Sequence, residues 1–441
     1  MLPGTVGGRY PVMKNVIVIG SGAGGATAAR TLQDSFNVTI LEAGKKFQPF
    51  TGSLSTLETI KKYGLLFNKR QISIAFPVYQ IRKTKDKMVL VNGIGTGGTT
   101  TICTGNAVRM DGDLKNLGLN LDPEFEEIYR EIPVTTGHRK NWRKTTKQLF
   151  EICQNMGLSP KVTPKMGHYE RCANCGRCIL GCVHGVKWDS RSFLTDAINK
   201  GATLVTGAKV QRLMVDKGRV TGVIAKTGFK RKFYPADLVV LAAGGLGTPV
   251  ILQNSGIACD PALFVDPVLC VAARYEGSLQ NRELPMPFIV QTDHYIISPY
   301  FDHLSFFFND DWRYPASDTL SLMIKLADNN VGGVSRKGIQ KTLTAIDRAR
   351  LDAGVKVCSD ILEHLGIEKN RLFLGTLNAG HPGGMLPVTA ATTDSLHDPR
   401  LPDNLYVADA TLLPKALGNP PILTIIALAK KISKIIKVRL R

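Results

Sequence analysis

The chain has 441 residues, 44% of them hydrophobic and 21% charged, which is apolar material for two or three domain-sized cores and too much for a disordered chain. Lys and Arg number 56 against 36 Asp and Glu; the formal charge of +20 suits anionic contacts (a membrane surface, nucleic acid, an anionic cofactor) or a plain basic surface. No window reaches the ~20 apolar residues of a bilayer span, and residues 1–12 lack the apolar run of a secretory signal, which points to a cytoplasmic protein.

Residues 14–19 read as a buried parallel strand, followed by a glycine-rich turn, an alanine-rich helix at 24–32 and a second strand at 37–41 ending in Glu42. Residues 88–110 are rich in glycine and threonine, and 121–157 look helical and charged. Four of the nine cysteines crowd into residues 172–182. A helix at 192–199, a strand at 203–206, a hairpin at 211–215 and 220–226 and a buried strand at 238–241 follow. Residues 262–325, with aromatic and β-branched side chains, read as antiparallel sheet, 340–364 as helix, 405–407 as strand and 422–436 as helix.

The turn Gly20-Ser21-Gly22-Ala23-Gly24-Gly25 lies between strand and helix, with an acid, Glu42, ending the next strand. That context makes a common pattern a dinucleotide site. Gly20 makes the tight turn, Gly22 lets a pyrophosphate approach the backbone, and Gly25 lets the helix pack on the strand. The helix N-terminus offers free N–H groups to the pyrophosphate, and Glu42 is placed to accept from a ribose hydroxyl.

Four stretches together resemble the glucose–methanol–choline (GMC) oxidoreductase family: residues 16–44; residues 97–109, Gly-Gly-Thr-Thr-Thr through Arg109; residues 243–256, beginning Ala-Gly-Gly-Leu-Gly-Thr-Pro; and His381-Pro-Gly-Gly with residues 407–410 and 418–429. The resemblance implies FAD as cofactor and an α/β fold, a Rossmann-like FAD-binding domain interrupted by a substrate domain on an antiparallel sheet. The expected division is 13–115 and 191–258 for the first two FAD-binding parts, with a helical, Cys-rich segment at 116–190 between them. Residues 259–375 then form the substrate domain and 376–441 the C-terminal part. Cofactor contacts are expected from Gly20, Ser21, Gly22, Ala23, Gly24, Gly25, Glu42, Ala43, Gly97, Gly98, Thr99, Val210, Ala243, Gly244, Asp409, Ala410, Asn419 and Pro420. Asp409 would meet the ribityl–pyrophosphate part. Some family members bind FAD covalently through a histidine in the second stretch; here Ile102 takes that place and no histidine precedes His138, so non-covalent FAD is expected. The family's run after the histidine motif is also replaced, by Met385-Leu386-Pro387.

The resemblance implies oxidation of an alcohol CH–OH group to a carbonyl. Such a reaction needs a base for the hydroxyl proton and a group that orients the oxygen. His381 and Asn419 fill those two positions of the family pattern; a loop histidine and a helix cap are the plain alternatives. The run Cys172-x-x-Cys175-x-x-Cys178-x-x-x-Cys182 has iron–sulfur spacing, although no proline follows the last cysteine and no second run exists. A [4Fe–4S] cluster, zinc, a disulfide and a packed thiol loop all stay open. An iron–sulfur flavoprotein reductase, or a non-catalytic electron-transfer subunit, is therefore the alternative to the alcohol enzyme. Residues 306–308 with Trp312 and Tyr314 are either core sheet or an apolar substrate wall. The basic amphipathic segment 430–441 either packs its isoleucines inward or touches anionic lipid. Nothing beyond charge suggests nucleic acid, and the sequence names neither the alcohol nor the electron acceptor.

Overall fold

The computed structural model describes residues 13–52, 58–59, 71–72, 74 and 76–440; the reading of residues 1–12 lies outside them. A five-stranded parallel sheet is built around Asn15–Ile19. This strand pairs on one side with Asn37–Glu42 and on the other with Leu238–Leu241, with Thr203–Thr206 and Leu405–Val407 at the edges. Taken across the sheet in chain terms, the order is third, second, first, fourth, fifth. The winding reverses between Asn15–Ile19 and Leu238–Leu241, and ligands of such sheets bind beyond the carboxyl ends at that point. Both faces are covered, so the strands are continuous apolar runs: Val16, Val18 and all of Leu238–Leu241 have no exposed surface. Helix Ala23–Leu32 lies on one face under Arg191–Asn199 and Ile422–Leu440. The antiparallel strands Ala208–Asp216, Arg219–Thr227 and Lys230–Pro235 form a second layer beside the sheet.

The second large sheet is mostly antiparallel. Its centre pairs Pro267–Arg274 with Thr319–Leu326 in unbroken register from Val268↔Lys325 to Arg274↔Thr319. Strands Tyr79–Lys83 and Val89–Gly93 join it at one side, Phe288–Gln291 and Lys161–Val162 at the other. Helix Ala345–His364 packs on one face of the sheet and starts at a reciprocal cap between Thr344 and Asp347. Thr319–Leu326 is buried at every position because its other face closes an apolar cavity. The α/β reading with an antiparallel-sheet domain therefore holds.

One local expectation changes. Residues 306–308 are not strand: they belong to helix His303–Phe308, whose N-cap Asp302 accepts from the Leu304 N–H. The C-terminal helix Ile422–Leu440 buries Ile426, Ile432 and Ile436 completely. Lys430 pairs with Glu127 and Glu131, and Lys434 with Glu124 and Glu127, all on helix Asp122–Glu131. Its apolar stripe and these two lysines are engaged by the protein itself, which leaves the lipid-contact reading without support. No helix among the described residues is long and apolar enough to cross a membrane.

Candidate active site

The glycine turn is shaped by close approach. Gly20 has φ +99°, and a Cβ there would stand 2.3 Å from the Ala242 carbonyl oxygen of the neighbouring strand end. A Cβ on Gly25 would stand 2.0 Å from the Gly20 oxygen, and one on Gly24 1.6 Å from the Ala408 oxygen, so the helix sits directly on two strand ends. Gly22 differs: its Cβ would meet only the Gly98 Cα, at 4.0 Å. Helix Ala23–Leu32 begins at Gly22 without a side-chain cap, which leaves its first N–H groups for a ligand.

Glu42 organises this cradle. One carboxylate oxygen accepts from the Ser21 N–H (3.0 Å) and hydroxyl (2.6 Å), the other from the N–H groups of Gly44 (2.8 Å) and Gly95 (3.2 Å). The Ser21 hydroxyl oxygen accepts from the Gly97 N–H at 3.2 Å, so the segment 97–99 is tied to the first turn. A long cleft runs from Ser21, Gly22, Glu42 and Ala43, past Gly98, Thr99 and Val210, to Ala243, Gly244, Asp409 and Ala410. Gly25 and Gly97 act from behind the wall, as packing and tether. Asp409 carries more protein contacts than expected: one oxygen accepts from the Gly244 N–H (2.8 Å) and Thr248 hydroxyl (2.5 Å), the other from the Thr411 N–H (3.0 Å) and hydroxyl (2.7 Å). It locks the fifth strand to helix Gly244–Asn254 while lining the cleft.

FAD, the cofactor implied by the resemblance, fits these residues. The approach over Gly22 is open, the helix N–H groups lack a cap, and the buried Asn92 side-chain oxygen on the cleft wall has no protein partner.

A second cavity opens on the antiparallel sheet, with mainly apolar walls that include Ile81, Ile102, Leu180, Val268, Met286, Phe307 and Met323. The two cavities share Thr99, Cys103, Gly380, His381 and Ile422. His381 is one-fifth exposed and its Nδ1 lies 3.4 Å from Asp266 Oδ2. The same oxygen pairs with Lys325 Nζ at 2.7 Å, and Asp266 Oδ1 accepts from the Gly418 N–H at 3.1 Å. Burial alone would raise the Asp266 carboxyl; Lys325, then His381, outweigh it and hold the group below its usual range. Burial, then the Lys325 ammonium, push the His381 imidazole down to about 4 against the pull of Asp266.

Asn419 is fully buried next to Pro420, which lines the apolar cavity. Its Nδ2 donates to Gln291 Oε1 at 3.0 Å and its Oδ1 has no partner. His381 and Asn419 are thus connected through Asp266 and the Gly418 backbone. Sequence reasoning missed Asp266, Lys325, Gln291 and Asn92. Three of the four lie within residues 259–375, the expected substrate domain, and no local pattern marks an acid whose partners are 59, 115 and 152 residues away.

The cysteine loop 172–182 lies against this site: its Ile179 and Leu180 line the apolar cavity. All nine cysteines are free, which removes the disulfide alternative. Among the described residues no three His, Cys, Asp or Glu side chains stand as one metal ion requires. The expected set Cys172, Cys175, Cys178 and Cys182 therefore does not form a closed four-thiolate site for a single ion such as zinc. Burial pushes the Cys178 thiol up to about 12.

The sequence pattern of GMC oxidoreductases matches residues 15–268, more than half of the chain. An uncharacterised protein of Methanocaldococcus jannaschii is 25% identical over 95% of this chain and 98% of its own length. A long-chain-alcohol oxidase of Arabidopsis thaliana is 24% identical over 96% of this chain, which spans 66% of that protein. The crystal structure of pyridoxine 4-oxidase from Mesorbium loti superposes with a TM-score of 0.70 at 14% identity, over 96% of this chain and 98% of that one, which establishes a shared fold. With the dinucleotide cradle at the sheet's switch point and the family pattern running through it, the chain belongs to the GMC oxidoreductase family.

Proposed function

We propose that the protein is an FAD-dependent oxidoreductase that converts the CH–OH group of an apolar alcohol to a carbonyl, with His381 as the base. The observation that carries this reading is the position of His381 on the wall shared by the dinucleotide cleft and the apolar cavity, with Nδ1 on a buried carboxylate. FAD, when bound, supplies a hydride acceptor.

The chain's own groups account for the proton. An ionised Asp266 accepts from Nδ1–H, and that bond selects the tautomer whose Nε2 carries a lone pair. The depressed affinity of His381 for protons keeps the ring neutral at neutral pH, so Nε2 is ready to take the hydroxyl proton. Asn419 is given the orienting role: Nδ2 keeps a second hydrogen after its bond to Gln291, and that hydrogen is assigned to the substrate oxygen. The apolar walls exclude water and favour an uncharged, hydrocarbon-rich alcohol, in keeping with the long-chain-alcohol oxidases among the relatives.

Anaerobic stopped-flow reduction of the bound flavin by primary and secondary alcohols of rising chain length tests the reading. The expected result is flavin bleaching whose efficiency rises with apolar length. Flavin that no alcohol reduces, but that a reduced electron donor does, would overturn it.

A further inference from the structure

We infer that the loop 172–182 is the site of an iron–sulfur cluster held by Cys172, Cys175, Cys178 and Cys182, its negative charge balanced by the buried ammoniums of Lys165 and Lys187. The inference does not depend on the alcohol reading. Among the described residues five lysines are buried: Lys165, Lys187, Lys325, Lys341 and Lys430. Three have carboxylate partners, in Asp266, Asp328 and the pair Glu127 and Glu131. The other two do not: Lys165 Nζ donates to the carbonyl oxygens of Thr104 (3.1 Å) and Pro285 (2.8 Å) and to Asn106 Oδ1 (2.5 Å). Lys187 Nζ donates to the carbonyl oxygens of Thr101 (2.7 Å), Cys178 (2.9 Å) and Cys103 (3.0 Å). Neutral carbonyls satisfy the N–H bonds but supply no counter-charge to either ammonium, and burial accordingly lowers the proton affinity of Lys165.

Both uncompensated lysines flank the cysteine loop. Lys187 grips the Cys178 carbonyl directly. Lys165 and the Tyr169 hydroxyl donate to the same Thr104 carbonyl, and that hydroxyl lies 3.9 Å from Cys178 Sγ. Two of the thiols are neighbours as well: Cys172 and Cys178 pack in one small cluster with Tyr169 and Leu284. No three of the four thiols form a single-ion site. At a Zn–S distance of ~2.3 Å, tetrahedral ligands stand only ~3.8 Å apart, whereas a cluster with an iron at each corner holds its sulfurs wider. An oxidised [4Fe–4S] core carries two positive charges and its four thiolates four negative ones; the remaining two negative charges match the two ammoniums. The loop is also held in place. Asn174 donates its N–H to Cys172 Sγ at 3.4 Å, its Oδ1 accepts from the Leu284 N–H, and Gly176 packs so tightly on Asn281 that a Cβ would stand 2.1 Å from its carbonyl oxygen. Lys187 bridges the loop to the Cys103 carbonyl, and Cys103 lines the dinucleotide cleft, which puts the loop beside that cleft.

The test uses full-length protein purified anaerobically and reconstituted with ferrous iron and sulfide. About four irons and four labile sulfides per chain are expected, with a paramagnetic signal on one-electron reduction. Cys175→Ser and Cys178→Ser should lose both while keeping a cooperative thermal transition, and Cys259→Ser, outside the loop, should keep them. Lys165→Met should lower the cluster's reduction potential, because removal of a positive charge disfavours the more negative reduced state; a purely structural lysine would not move it. Absence of iron and sulfide from reconstituted protein, zinc in their place, or full iron content in both loop variants would each overturn the inference.

Discussion

The Asp266 carboxylate meets the His381 Nδ1 at 3.4 Å across 115 residues of sequence, and its second oxygen holds the Gly418 N–H one residue before Asn419. One buried acid thereby joins the two loops that carry the proposed catalytic pair. Asp266 also adopts φ +50°, an uncommon conformation for a residue with a side chain, and the three bonds keep it there.

If His381 is the base, His381→Ala retains FAD and slows flavin reduction by alcohol by about 10²–10⁴-fold, the usual contribution of general acid–base catalysis. Asn419→Ala loses less, since an orienting hydrogen bond contributes less than removal of the proton. Stopped-flow reduction of both variants measures this. An unchanged rate in His381→Ala would demote that residue to a loop histidine.

The acid limb of the reduction rate follows from the same environment. The neutral ring is the active form, so the rate rises with pH through about 4 and is level above, whereas an ordinary histidine would place the limb near 6.5. Lys325→Met removes the second cause of the depression and moves the limb upward. A pH profile of the limiting reduction rate in both proteins checks the direction; a limb that stays in place rules out Lys325 as the tuning group.

Neighbouring glycines separate binding from folding. Gly22→Val leaves the protein folded and without flavin, because its Cβ enters the open approach to the helix N-terminus. Gly24→Val lowers stability itself, because its Cβ would overlap the Ala408 carbonyl. Flavin content and thermal unfolding of the two variants distinguish these outcomes, and equal stability would refute the packing argument.

The parallel sheet was legible because its strands are buried on both faces, and a continuous apolar run such as residues 238–241 needs no partner to be recognised. The cradle was legible because its glycines are adjacent in sequence. Asp266 was not, since nothing near position 266 announces a partner at 325, 381 or 418. The helix at 303–308 was misread as strand because three consecutive phenylalanines favour β structure, although Asp302 ahead of it was an available start signal. Glu42 and Asp409 were found by position, but their saturation by backbone N–H groups and hydroxyls depends on segments folded against them.

The buried His138 and His303 and the partly buried His381 also give the fold a pH dependence. Burial pushes His138, His303 and His381 each down to about 4. His138 shows the cause in its bonds: Nε2–H donates to the Thr163 carbonyl at 2.8 Å while Nδ1 accepts from the Trp142 indole N–H at 3.0 Å, so protonation of Nδ1 would break the second bond. Between about 4 and 6.5 the unfolded chain binds more protons than the folded one. Stability is therefore complete above 6.5 and falls as the pH drops through that window, by roughly 3 kcal/mol for each histidine. His138→Gln keeps a donor and an acceptor but does not titrate, so its stability should fall less steeply than that of the parent over the same range. Urea unfolding of the flavin-loaded proteins between pH 4.5 and 7 measures both slopes, and parallel slopes would remove His138 from the account.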